Sequence, residues 1–101
     1  MGGRVRLDLN NPEFLRGLAE ADPVEASRVL RGLQKLQGMD WAIVQKSKGI
    51  RWEKIEQVPA PNGGAVYSLR LSQKYRALAF RDDDFLRLLT LHLDHDSAYK
   101  K

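Results

Sequence analysis

An α+β fold is predicted, in which an N-terminal strand and a two-helix hairpin precede an antiparallel β-meander, with the helices packed on one face of the sheet. Three observations carry this expectation. Residues 4–9 (R-V-R-L-D-L) alternate polar and apolar, the period-2 pattern of a half-buried strand. Residues 12–37 change to apolar spacings of three and four and contain two proline-led helix starts. After Gly49 the period-2 pattern returns in four stretches whose last connections are very short, which forces antiparallel neighbours.

Each element has a local reason. Asn10-Asn11-Pro12 supplies cap residues and a proline suited to the first helical turn, and Phe14, Leu15, Leu18 and Ala19 then form an apolar stripe. Asp22-Pro23 repeats the signal, with Glu25 placing negative charge in the first turn. Ala26, Val29, Leu30, Leu33 and Leu36 recur at helical spacing until Gly38, a residue suited to the left-handed position after a helix. The stretch from Met39 to Lys48 is ambiguous, and Asp40 can cap one more short helix ending near Gly49. Strands are expected at Ile50–Val58, Ala65–Ser72, Tyr75–Asp82 and Phe85–Leu93, the first stopped by Pro59-Ala60-Pro61-Asn62-Gly63-Gly64.

Two-residue turns at Gln73-Lys74 and Asp83-Asp84 fix an expected register. Tyr67 then opposes Phe80 and Leu69 opposes Leu78 on the helix-covered face, which Leu89, Leu91 and Leu93 join. On the other face Arg70 meets Ala77 and Ser68 meets Ala79, with Thr90 and His92 beside them. The result is a shallow groove with a floor of small side chains, edged by Arg70 and His92. Arg76 falls on the covered side in this register unless the turn is longer, and a one-residue slip inverts every assignment.

The chain of 101 residues is long enough for one domain, residues 1–101, and its 43% hydrophobic content is that of a globular protein rather than a disordered one. No apolar run approaches the roughly 20 residues that span a bilayer, and the start lacks a secretory stretch. Without cysteine, disulfides and thiolate metal sites are excluded. A cytoplasmic location is expected, with no membrane association. The net charge of +4 is unevenly spread: between Ile43 and Arg81 lie eight basic residues (Lys46, Lys48, Arg51, Lys54, Arg70, Lys74, Arg76, Arg81) and two acidic ones (Glu53, Glu56). That segment suits an anionic partner, nucleic acid or an acidic protein, and equally a solvated basic surface.

The C-terminal stretch L-H-L-D-H-D-S-A-Y-K-K concentrates the titratable groups. His92-Leu93-Asp94-His95-Asp96 is similar to half of the His-x-His-x-Asp-His motif of metallo-hydrolases. Zinc catalysis needs about three protein ligands, and with only two histidines in the chain no metal or other cofactor is expected. Metal-free RNA cleavage has different needs: a base for the 2′-hydroxyl proton, an acid for the leaving 5′-oxygen, and cations around the phosphate. Arg70 and Arg76, with Lys74 or Arg81, can supply the cations, since a guanidinium fork matches phosphate oxygens. His95 titrates in the right range, and Asp94 and Asp96 favour its charged form. Tyr99 can donate a hydrogen bond or stack on a base. The plainer reading, a charged sheet edge with a packed terminal tyrosine, explains the same residues.

Four segments together resemble the RelE/ParE toxin superfamily, the toxin half of bacterial type II toxin–antitoxin pairs. They are Gly49-Ile50-Arg51-Trp52-Glu53-Lys54-Ile55, Tyr67-Ser68-Leu69-Arg70-Leu71, Tyr75-Arg76-Ala77-Leu78 and Asp94-His95-Asp96-Ser97-Ala98-Tyr99. The order and length of the expected elements agree over nearly the whole chain. The resemblance implies a ribosome-dependent endoribonuclease that cuts mRNA in the ribosomal A site and is neutralised by a cognate antitoxin. It implies a catalytic set of Arg70, Arg76, His95 and Tyr99: Arg76 polarising the phosphate, Arg70 stabilising the transition state, His95 and Tyr99 sharing proton transfer. Lys48, Arg51, Lys54, Lys74 and Arg81 are the expected RNA-binding cations. Ser68 stands where some relatives carry a second lysine. A ParE-like inhibitor of DNA gyrase that cleaves nothing, or an inactive relative that only binds RNA or protein, is the alternative.

Overall fold

The structure, a computed structural model, describes residues 3–93. In chain order the elements are β1 (Arg6–Asp8), α1 (Pro12–Glu20), α2 (Pro23–Leu36), α3 (Trp41–Lys46), β2 (Glu53–Pro59), β3 (Ala65–Arg70), β4 (Tyr75–Asp82) and β5 (Phe85–Leu93). The strands form a five-stranded sheet in the order β1-β5-β4-β3-β2. As expected, the last four strands are an antiparallel meander, while β1 pairs parallel with β5 at the far edge.

The helix starts work as read. The Asn11 side chain accepts the Glu13 amide at 2.8 Å, and Asp22 accepts that of Val24 at 3.2 Å. Gly38 follows α2 with φ of 84°, the left-handed conformation that terminates helices. The ambiguous stretch contains α3, led by Asp40 in the capping position but without a side-chain cap bond.

The helices cover one face of the sheet at short range. A Cβ on Gly32 would stand 2.0 Å from the carbonyl oxygen of Leu71, and one on Gly17 would stand 3.0 Å from the Leu91 Cβ. Such approach leaves no room for a side chain at Gly32. Ala77 and Ala79 are fully buried there with Val29, Leu33, Leu36, Leu69, Leu86 and Leu88. Phe14 anchors α1 and Trp41 anchors α3 in the same core.

This packing corrects the expected register of β4. Arg70 pairs with Arg76, Ser68 with Leu78 and Val66 with Phe80, one residue away from the pairing that a two-residue turn implies. The amides of both Leu71 and Ser72 donate to the Tyr75 carbonyl, at 3.0 and 3.2 Å, and the Ser72 hydroxyl accepts the Tyr75 amide. The connection therefore holds one more residue. Ala77 and Ala79 turn under the helices, whereas Leu78 and Phe80 turn outward.

The second turn is as expected, Asp82 opposite Phe85, with Asp83 in the left-handed region at φ 58°. A register shift follows between Leu78 and Ala79, where β5 carries one extra residue. It keeps Thr90 and His92 on the open face but corrects two neighbours. Leu89 packs with Leu78 and Phe80 in a second cluster, and Leu93 is half exposed at the strand end instead of buried.

Candidate functional site

The open face is ordered in rows that cross the strands. Arg70 on β3, Arg76 on β4 and His92 on β5 are direct cross-strand partners and form one row. The next row runs Glu53, Ser68, Leu78, Thr90, and the one after it Ile55, Val66, Phe80, Arg87. Neighbours within a row are about 5 Å apart and rows about 7 Å apart, the repeat of two residues along a strand. A cationic row thus lies beside a mixed one, and a row that is apolar on β2, β3 and β4 follows.

A pocket of about 380 Å³ opens where these rows meet, lined chiefly by Glu53, Ile55, Ser68, Arg76, Leu78 and His92. The Arg76 side chain is only 10% exposed, and its Nη2 stands 3.9 Å from Glu53 Oε1 at the pocket wall. Cation and carboxylate come from different strands, so the pair depends on the three-residue connection that turns Arg76 outward. His92 Nε2 and Thr90 Oγ1 lie 2.6 Å apart, which fixes the ring against the sheet. Burial lowers the pKa of His92 below the ordinary 6.5, and the adjacent Arg76 charge lowers it further. The imidazole is accordingly neutral at pH 7 and can accept a proton. Ser68 Oγ is buried at the pocket floor and has no hydrogen-bond partner among the described residues.

The expected site residues separate into groups. Arg70 and Arg76 are brought together, with the Arg70 amide donating to the Ile50 carbonyl at 2.6 Å. Lys74 sits in the β3–β4 connection and pairs with Glu25 of α2 at 3.7 Å. Lys48 and Arg51 are exposed in the segment before β2, Arg51 with φ of 55°. Lys54 pairs with Tyr67 and so belongs to the opposite face from Glu53 and Ile55. Arg81 lies five residues along β4 from Arg76, about 17 Å; its guanidinium covers the Trp41 ring at 4.2 Å and its Nε donates to the Asp83 carbonyl. His95 and Tyr99 lie outside the described residues, as do Asp94 and Asp96.

Sequence reasoning placed His92 at the groove edge but gave it no part in RNA cleavage, and it did not single out Glu53. The available signal was Glu53 as one of two carboxylates in an otherwise basic segment, at alternation-matched spacing from Ile55. The floor also differs from expectation: Leu78 and Ser68 form it, not Ala77 and Ala79, because those alanines lie beneath the helices.

The same architecture occurs in a solved structure, the archaeal RelE–RelB complex from Pyrococcus horikoshii OT3. It superposes with a TM-score of 0.57 at 21% sequence identity, covering 92% of this chain and 96% of that one. The chain therefore has a RelE-like fold. No family model matches the sequence, and no curated protein does.

Proposed function

We infer, from a RelE-like fold that carries a cationic row beside a neutral histidine, that the chain is the toxin of a type II toxin–antitoxin pair and cleaves mRNA. The observation that carries this reading is the Arg70–Arg76–His92 row bordering the pocket, with Glu53 against Arg76. In the proposed reaction the 2′-oxygen attacks phosphorus as a base takes its proton, and the P–O5′ bond breaks as an acid protonates the leaving oxygen. The products are a 2′,3′-cyclic phosphate and a 5′-hydroxyl. His92, held neutral, is the proton acceptor on the described surface. Arg76 and Arg70 offset charge on the pentavalent phosphate, and Glu53 steers the Arg76 guanidinium. His95 and Tyr99 keep the proton-transfer role that the resemblance implies. Cations supplied by side chains leave no step that requires a metal.

The substrate in this reading is mRNA in the ribosomal A site, in the cytoplasm. The partner is an antitoxin, as the solved relative was crystallised as a RelE–RelB complex. Among the described residues no helix is long and apolar enough to cross a membrane. Induced expression followed by mapping of transcript ends tests the proposal. Rapid translation arrest with cut mRNA is expected, and Arg76→Ala and Tyr99→Phe abolish it in folded protein. Filamentation with DNA damage and intact transcripts identifies a gyrase inhibitor instead.

A further inference from the structure

The pocket beside the cationic row contains more than a phosphate requires. Its walls include Ile55 and Leu78, and its floor holds the buried hydroxyl of Ser68. A buried hydroxyl without a partner is destabilising, and native proteins keep few of them. Alternation along β3 aims the Ser68 side chain at the open face, between Glu53 and Leu78. Its oxygen is closed over by neighbours, and Ser68 is one of the residues that line the cavity, so to reach a ligand there the hydroxyl has to change its side-chain rotamer.

We propose that this pocket seats the base of the nucleotide whose phosphate lies on the Arg70–Arg76–His92 row, and that the Ser68 hydroxyl reads the edge of that base. Three features support the assignment. The rows are about 7 Å apart, so one end of a nucleotide meets cations while its other end meets Leu78 and Ile55. An unstacked base is a flat apolar body with hydrogen-bonding edges, and it is recognised by insertion between side chains. At about 380 Å³ the pocket is in the size range of small-ligand sites, which combine mostly apolar walls with a few placed polar groups. Ser68 is then a specificity-determining residue, distinct from the groups that move protons.

This inference rests on the nuclease reading, so its test is chosen to fail separately. The four nucleoside 3′-monophosphates, with ribose 5-phosphate as a base-free control, are titrated into the full chain and followed by methyl and amide NMR. All five ligands should perturb His92. Only the nucleotides should shift the Ile55 and Leu78 methyls, with the preferred base bound roughly tenfold more tightly than the poorest. Ser68→Ala should collapse that ratio toward one and leave the ribose phosphate affinity unchanged; a Ser68→Thr variant, which keeps the hydroxyl, should retain the ratio. Mapped transcript ends from cells expressing Ser68→Ala should still show cutting, with a relaxed base preference next to the cut. Silent Ile55 and Leu78 methyls, or a base preference that survives Ser68→Ala, overturn the seat. Base-selective binding without any cleavage overturns the nuclease reading and leaves the seat standing.

Discussion

Arg76 is nearly enclosed, yet it borders the only histidine among the described residues and a carboxylate from β2. Its charge acts on both neighbours. Arg76→Met should raise the pKa of His92 toward its ordinary value, because one of the two causes of the depression is removed and burial remains. An NMR titration of the ring protons reads this directly. If the proposed cleavage uses His92 as its base, that base must be neutral, and the acid limb of the rate profile should fall below pH 6.5 in the native protein. Arg76→Lys keeps a positive charge but loses the planar fork, so about a hundredfold loss of cleavage is expected, as for the loss of an oriented transition-state donor. Single-turnover cleavage on stalled ribosomes measures it. A carboxylate that only holds the guanidinium predicts a smaller effect for Glu53→Gln, with the pH profile unmoved.

At the scale of elements, two contacts hold the layers in place. Gly32 lets α2 rest on the backbone at Leu71. In an ordinary helix interior a glycine-to-alanine change adds about 1 kcal/mol of stability. Here Gly32→Ala forces its methyl group into a carbonyl oxygen, and a net loss of about 1–3 kcal/mol is expected from urea denaturation. The short parallel strand β1 is tied differently. Arg87 reaches Asp8 at 2.6 Å and Asp82 at 2.9 Å, joining β1, β5 and β4, while Arg6 and Arg87 both lie over the Phe85 ring. The Asn10 amide and Arg87 hold the Asp8 carboxyl below its ordinary 3.8. A depressed carboxylate contributes stability above its unfolded value, and that contribution disappears as pH falls through the lower folded value. Arg87→Met should therefore be less stable than the native chain at neutral pH. Denaturation midpoints of the two proteins should converge once the pH is well under 3.8.

Among the described residues the molecule has two unequal interiors separated by the sheet. The larger, under the helices, includes Trp41, whose indole donates to the Asp84 carbonyl at 3.2 Å, meets Trp52 edge-on at 5.8 Å and carries Arg81 above it. Trp52 in turn stacks on Tyr67 at 4.4 Å. This ladder joins α3 to β3 through the residue just before β2, so Trp41→Ala should cost about 3–5 kcal/mol. Against the 5–15 kcal/mol typical of a domain, that is a large share, and a thermal melt should show it as a sharply lowered midpoint. The smaller interior, Ala60, Val66 and Phe80 with Ile55, Leu78 and Leu89, lies on the open face beside the pocket. Ile55 and Leu78 of this cluster also line the pocket, so apolar packing and the cationic row meet there.

Element order, the caps at Asn11 and Asp22, and the limits of β4 and β5 were legible in residue patterns, because caps and periodicity are local and each is encoded within a few positions. So was the chemical type of the cationic row, since Arg70 and Arg76 flank a single turn. Which face Arg76 occupies was not legible. Period 2 marks a strand but leaves its parity open, and one extra residue in the β3–β4 connection or in β5 reverses it. The choice belongs to long-range packing: Ala77 and Ala79 are buried with Val29, Leu33 and Leu36 of α2 in the core under the helices, and that parity turns Arg76 and Leu78 toward the pocket. Distant parts of the chain therefore created the meeting of Arg76, His92, Glu53 and Ser68, through the space that close-packed layers leave.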